Sequence, residues 1–140
     1  MSPVQIRDST NVIVSLLSDP FTKKRCFLKL SNVDVSTFTL ELYRRNYIHV
    51  HDLNPNVLNT IIDIEKGLGC TKISTLTNTL SIKDTNETVF YDFNGSTFEP
   101  ILNQLYHDCT VKILLSKYMF KETTGLCKTC MDVHVTRITD

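Results

Sequence analysis

A chain of 140 residues that contains no alanine is poorly suited to being built from helices. Alanine is the strongest helix former, and the sequence instead carries 18 threonines, 11 valines and 11 isoleucines. Branching at Cβ crowds the preceding helical turn but packs well on a pleated surface, so this composition favours strands. Ten asparagines and ten lysines beside the missing alanine fit AT-biased coding of the kind met in small viral or fungal proteins, and say nothing about the fold.

A chain of this size normally forms one core, burying roughly two-thirds of its unfolded surface. No repeat, low-complexity tract or Pro/Gly/Ser-rich linker interrupts it, so one domain over residues 1–140 is expected. Fifteen basic residues balance fifteen acidic ones. That balance disfavours coating of the whole surface by a polyanion and leaves only local basic patches. The first residues lack a basic stretch followed by an apolar core, and no apolar run approaches the ~20 residues that span a bilayer. The expectation is a soluble intracellular protein, cytoplasmic or nuclear, without membrane contact. Five cysteines, Cys26, Cys70, Cys109, Cys127 and Cys130, are an odd number and argue against a disulfide framework. The sequons at Asn86 and Asn94 are read as turns.

Residues 11–17 and 26–30 read as two strands around an Asp19-Pro20 turn. Residues 35–43 lean towards strand through the alternation of Phe38, Leu40 and Leu42, and 47–50 are extended. Residues 54–66 predict an amphipathic helix, with Asn54 as cap, Pro55 at the first position, Val57, Ile61, Ile64 and Leu68 on one face, and Gly67 and Gly69 beyond its end. Lys83 to Thr88 reads as the turn of a hairpin between 71–82 and 89–93. Phe98, Ile101, Leu102, Leu105 and Cys109 predict a second helix behind Ser96 or Thr97. Residues 110–120 and 132–138 predict two closing strands. The fold class expected is α+β, a mostly antiparallel sheet of about six to eight strands with two or three helices.

The most specific chemical motif is Cys127-Lys-Thr-Cys130 with His134 four residues on. A Cys-x-x-Cys turn can aim two thiolates at one Zn²⁺, so a structural zinc held by Cys109, Cys127, Cys130 and His134 is a candidate, with His107, Cys70 or Cys26 as other fourth ligands. The alternative is packing of small apolar thiols. Thioredoxin-type redox chemistry lacks a helix after the motif. His49 and His51 project from one face of a strand and are a second metal candidate, on which a metal-dependent hydrolase would be centred. Residues 48–53 resemble a short string of anaerobic ribonucleotide reductases and the His-x-His of amidohydrolase barrels, enzymes several times longer than this chain. No Gly-x-Ser-x-Gly, phosphate loop or paired carboxylates point to catalysis. Lys23, Lys24 and Arg25, with Arg44 and Arg45, are the basic clusters. Phe21, Phe27, Tyr43 and Tyr47 flank them and could stack on bases.

By elimination the sequence favours a non-catalytic adaptor that meets a protein partner, or a second copy of itself, through uncharged strand edges bearing Thr37, Thr39, Thr75, Thr77 and Thr79. The alternative is a small zinc-stabilised nucleic-acid-binding module. No cofactor other than zinc is implied.

Overall fold

The structure, a computed structural model, describes residues 4–7, 13–18, 25–42, 44–75 and 77–139. Its strands are β1 (Val4–Arg7), β2 (Ile13–Ser18), β3 (Arg25–Leu40), β4 (Arg45–His51), β5 (Leu80–Tyr91), β6 (Thr97–Phe98), β7 (Leu105–Phe120) and β8 (Thr123–Ile138); one helix, α1 (Pro55–Gly67), lies between β4 and β5. All eight strands form one sheet. Because β3 pairs with both β4 and β7, five strands close into a ring in the order β3-β4-β5-β8-β7, with β2 and β1 extending from the first half of β3.

Two long strands bend to allow that closure. Inward residues on β3 run Leu28, Leu30, then Val33, Val35 and Thr37, and on β7 Tyr106, then Cys109, Val111, Ile113 and Leu115. The change of parity falls at Asn32 (φ 59°) and Asp108 (φ 55°), where the β3–β7 register shifts. An extra residue at such a bulge kinks the strand and returns the apolar phase to the interior. Asn and Asp tolerate these left-handed angles better than most residues. The ring encloses Leu30, Val35, Ile48, Ile82, Val111, Ile113 and Val133, all fully buried.

The first helix forms where the sequence places it. The Asn54 side chain accepts the Asn56 N–H at 2.8 Å, and Val57, Leu58 and Ile61 are buried against the ring. At its end Lys117 Nζ donates to the Leu68 carbonyl at 2.8 Å, a cation placed against the negative pole of the helix. Buried Glu65 accepts the Ser74 N–H at 3.1 Å and the Ser74 hydroxyl at 3.1 Å, pinning the following loop. That loop is tied to the β7–β8 hairpin by reciprocal bonds between Thr71 and Thr124.

The α+β expectation is corrected on three counts. The second helix does not form: residues 99–104 are a loop containing Pro100, and Leu105 opens β7. Leu102, Leu105 and Cys109 have helical spacing but share no face, since Leu102 and Leu105 are exposed and Cys109 is buried beyond the Asp108 bulge. The expected hairpin over 71–93 is instead a loop and one strand, β5, which runs through Lys83–Thr88 and slips register between Asp84 and Val89. The sheet is mixed, because β5 and β8 are parallel. The threonine edges supporting the adaptor reading are also absent. Thr37 is buried and donates to the Ile101 carbonyl at 3.0 Å, Thr39 is bonded to Asn46, and Thr75, Thr77 and Thr79 lie in the loop before β5. No helix among the described residues is long and apolar enough to cross a membrane.

Candidate nucleic-acid interface

Strand alternation places the side chains of this face. On β4, Ile48 and Val50 point into the ring, so Tyr47, His49 and His51 point out. The β3–β4 register sets Phe38 opposite Tyr47 and Ser36 opposite His49. The β4–β5 register adds Lys83 opposite Tyr47 and Ser81 opposite His49. The outward rings pack as a stack. Phe38 lies 4.1 Å from His49 with planes 8° apart and 5.4 Å from Tyr47 with planes 24° apart. Ser81 Oγ lies 2.9 Å from His49 Nδ1, and Ser36 Oγ 2.7 Å from His51 Nε2, which fixes both imidazoles. Burial, and then the neighbouring His51, push the His49 pKa below its ordinary value. At neutral pH His49 is therefore an uncharged aromatic plane.

Beside this stack the β7–β8 hairpin rises to a two-residue turn at Lys121 and Glu122, where Lys121 takes a φ of 54°. Together they form a groove of about 560 Å³, with Tyr47, Tyr118 and Phe120 as its rings and Lys83 and Lys128 as its cations. Met119 is 74% exposed and Phe120 67% exposed. Large apolar side chains held in water at a hairpin tip mark a contact surface. The Tyr118 ring lies over Gly125, its cross-strand partner: a Cβ at residue 125 would sit 2.6 Å from the Tyr118 hydroxyl oxygen. Glycine there is what lets the ring lie flat. Lys121 Nζ stands 5.6 Å from the centroid of the Phe120 ring. At the other rim the β3–β4 turn presents exposed Arg44 (φ 50°), Arg45 and Leu42. Among the described residues, the ion pairs are His107–Asp34, His134–Asp132 and Arg137–Asp108, and none engages these cations.

Of the basic residues singled out from the sequence, Arg44 and Arg45 fall at this face. Lys23 and Lys24 lie outside the described residues, as do Phe21 and Tyr43, and Arg25 opens β3 at the end opposite to Arg45. Tyr47 was legible as a flanking ring; Phe38 and His49 as its stacking partners, and Lys83, Lys121 and Lys128, were not. The alternation of Tyr47, His49 and His51 was the available signal.

The zinc reading is not supported. Cys127, Cys130 and His134 all lie on β8, a continuous strand, with Cys109 on β7. Residues i and i+3 of a strand stand ~10 Å apart along it and face opposite ways, whereas shared coordination needs a turn. Accordingly Cys130 is fully buried in the core and Cys127 is partly exposed at the groove. Cys109 is also buried, its thiol pushed up to about 12 by burial and by Asp34 and Asp108. Of the other fourth ligands, Cys70 is buried, His107 pairs with Asp34 at 3.1 Å, and Cys26 lies on β3. Among the described residues no group of three or more His, Cys, Asp or Glu is placed to hold a metal, the His49–His51 pair included.

No protein-family model matches the chain, and no curated protein matches it in sequence. Solved structures do resemble it in fold. The single-stranded DNA-binding protein from bacteriophage Enc34 in complex with ssDNA aligns with a TM-score of 0.55 at 12% identity over 99% of this chain and 97% of that one. A C-terminally truncated form of the same phage protein aligns with a TM-score of 0.53 at 14% identity over 99% of this chain and 95% of that one. At such identities the likeness is one of fold, and it extends over nearly the whole of both chains.

Proposed function

We propose that this protein binds single-stranded DNA without catalysis, through the groove between the outward face of β3–β4–β5 and the β7–β8 hairpin. The observation that carries the reading is the Tyr47–Phe38–His49 stack, flanked by Tyr118 and Phe120 and bordered by Lys83, Lys121, Lys128, Arg44 and Arg45. Every base has a π-face, so aromatic planes accept bases without reading sequence, while cations on the rim follow the phosphates. Five-stranded closed barrels are known hosts for this arrangement, taking oligonucleotides across one strand face and the adjoining loops. The solved chains of the same fold are single-stranded DNA-binding proteins, one of them in complex with ssDNA.

This reading replaces the adaptor expected from the sequence, which the fold likeness and the burial of Thr37 both oppose. It keeps the nucleic-acid alternative and drops the zinc. Neutral net charge is compatible with it, because a local group of cations at the groove suffices to follow a phosphate backbone.

The test is fluorescence anisotropy of a labelled oligothymidylate titrated with the protein across a salt series. The expected result is binding that prefers the single strand over a duplex of equal length, with a slope of log K against log salt near −0.7 per phosphate contacted. Replacing Lys83, Lys121 and Lys128 by Gln should flatten that slope by about 2. Absence of binding at low salt, or an unchanged slope in the triple variant, rejects the proposal.

A further inference from the structure

Resting on that reading, we infer that the barrel carries a second nucleotide-binding tract on its opposite side, which takes the continuation of the same single strand. In the ring order, β7 and β8 are the two strands not adjacent to β4. Across β3, β7, β8 and β5 the register aligns two rows of outward side chains. Lys29 stands opposite Lys112 and Lys112 opposite Asp132; Thr110 stands opposite His134 and His134 opposite Tyr91.

The rows carry the same two chemistries as the groove. Tyr91 and His134 stack with centroids 4.7 Å apart and planes 14° apart, and Lys112 Nζ lies 5.4 Å from the centroid of the Phe27 ring. Phe27, Lys29, Thr110, Lys112, Asp132 and His134 line a hollow of about 520 Å³. Both lysines are exposed, and among the described residues neither is in an ion pair. The one acid in the row, Asp132, is 3.9 Å from His134 Nε2. A strand leaving the groove by way of β5 meets the Tyr91 ring at the far end of the same strand, after Lys83 near its start. The occupant is thus a polyanion bearing flat bases, the same chemistry as at the groove. A folded protein partner would have to cover Lys29 and Lys112, which have no ion pair among the described residues, and lysines are depleted from interface cores.

The experiment compares wild type with Lys29→Gln/Lys112→Gln on oligothymidylates of about 5 and about 16 nucleotides, the range of lengths held by a single barrel of this type. On the long oligomer the variant should bind more weakly and lose about 1.4 from the salt slope, two single-strand phosphates at ~0.7 each. On the short one it should match wild type. A second variant, Tyr91→Ala, should also weaken only the long oligomer, and without changing the slope. Equal effects on both lengths, or none on either, overturn the second tract. If wild type binds the short oligomer but gains nothing from length, the second tract falls and the groove stands. If wild type binds neither, both fall.

Discussion

Replacing Phe38 with alanine removes the middle ring of the outward stack, the one in contact with both His49 at 4.1 Å and Tyr47 at 5.4 Å. Base stacking on an aromatic side chain is worth ~1–3 kcal/mol per base by alanine substitution. At ~1.4 kcal/mol per tenfold, Kd for a single strand should rise about 5- to 150-fold. The substitution also costs folding stability, because two ring pairs worth ~0.5–1.5 kcal/mol each are lost. Phe38 is half-buried and faces away from the barrel interior, so that cost should stay near ~1–3 kcal/mol and leave the fold intact. Anisotropy titration gives the first number and urea denaturation the second. Phe38→Leu separates them, since leucine retains apolar burial but offers no π-face: it should recover most of the stability and little of the binding. If Phe38→Ala binds as wild type, or if Phe38→Leu restores binding in full, the rings are packing and not a platform, and the proposed interface is wrong.

Other consequences follow from particular contacts. His49 has a lowered pKa, so between that value and the ordinary 6.5 the unfolded chain binds more protons than the folded one. Stability should fall as pH drops through this window, and His49→Gln should remove that loss in urea titrations at stepped pH. Binding carries the opposite sign: phosphates favour the imidazolium, so single-strand affinity should rise on acidification, and His49→Gln should flatten that rise. Gly125→Ala should force the Tyr118 ring off the hairpin, weakening binding several-fold by anisotropy with little change in denaturation midpoint. Glu65→Ala leaves the Ser74 N–H and hydroxyl without their acceptor and should cost about 2–3 kcal/mol in urea denaturation.

Much of the strand content was legible because it is local. The missing alanine, the branched residues and the alternation about Ile48 and Val50 act on a few neighbouring residues, and α1 announced itself through Asn54, Pro55 and its apolar face. The false second helix arose because Leu102, Leu105 and Cys109 fall at helical spacing by sequence alone, although exposed Leu102 lies in a loop and exposed Leu105 and buried Cys109 lie on opposite sides of the Asp108 bulge in β7. The zinc expectation finds no support in the structure because Cys-x-x-Cys brings two thiolates together on a turn and separates them on a strand, and pairing with β7 and β5 gives residues 127–130 an extended backbone.

The order of amino acids by itself determined a strand-rich chain with a well-capped helix after Asn54 and a few basic residues beside aromatic ones. Those properties depend on contacts within a handful of positions, where side-chain shape and backbone preference act directly. Tertiary structure alone decided that β3 pairs with both β4 and β7, that β5 runs parallel to β8, and that the rings of Phe38, Tyr47 and His49 come face to face beside Tyr118 and Phe120. Strand pairing joins residues as far apart as Lys29 and Lys112 through register, and register is fixed by burying a whole face at once.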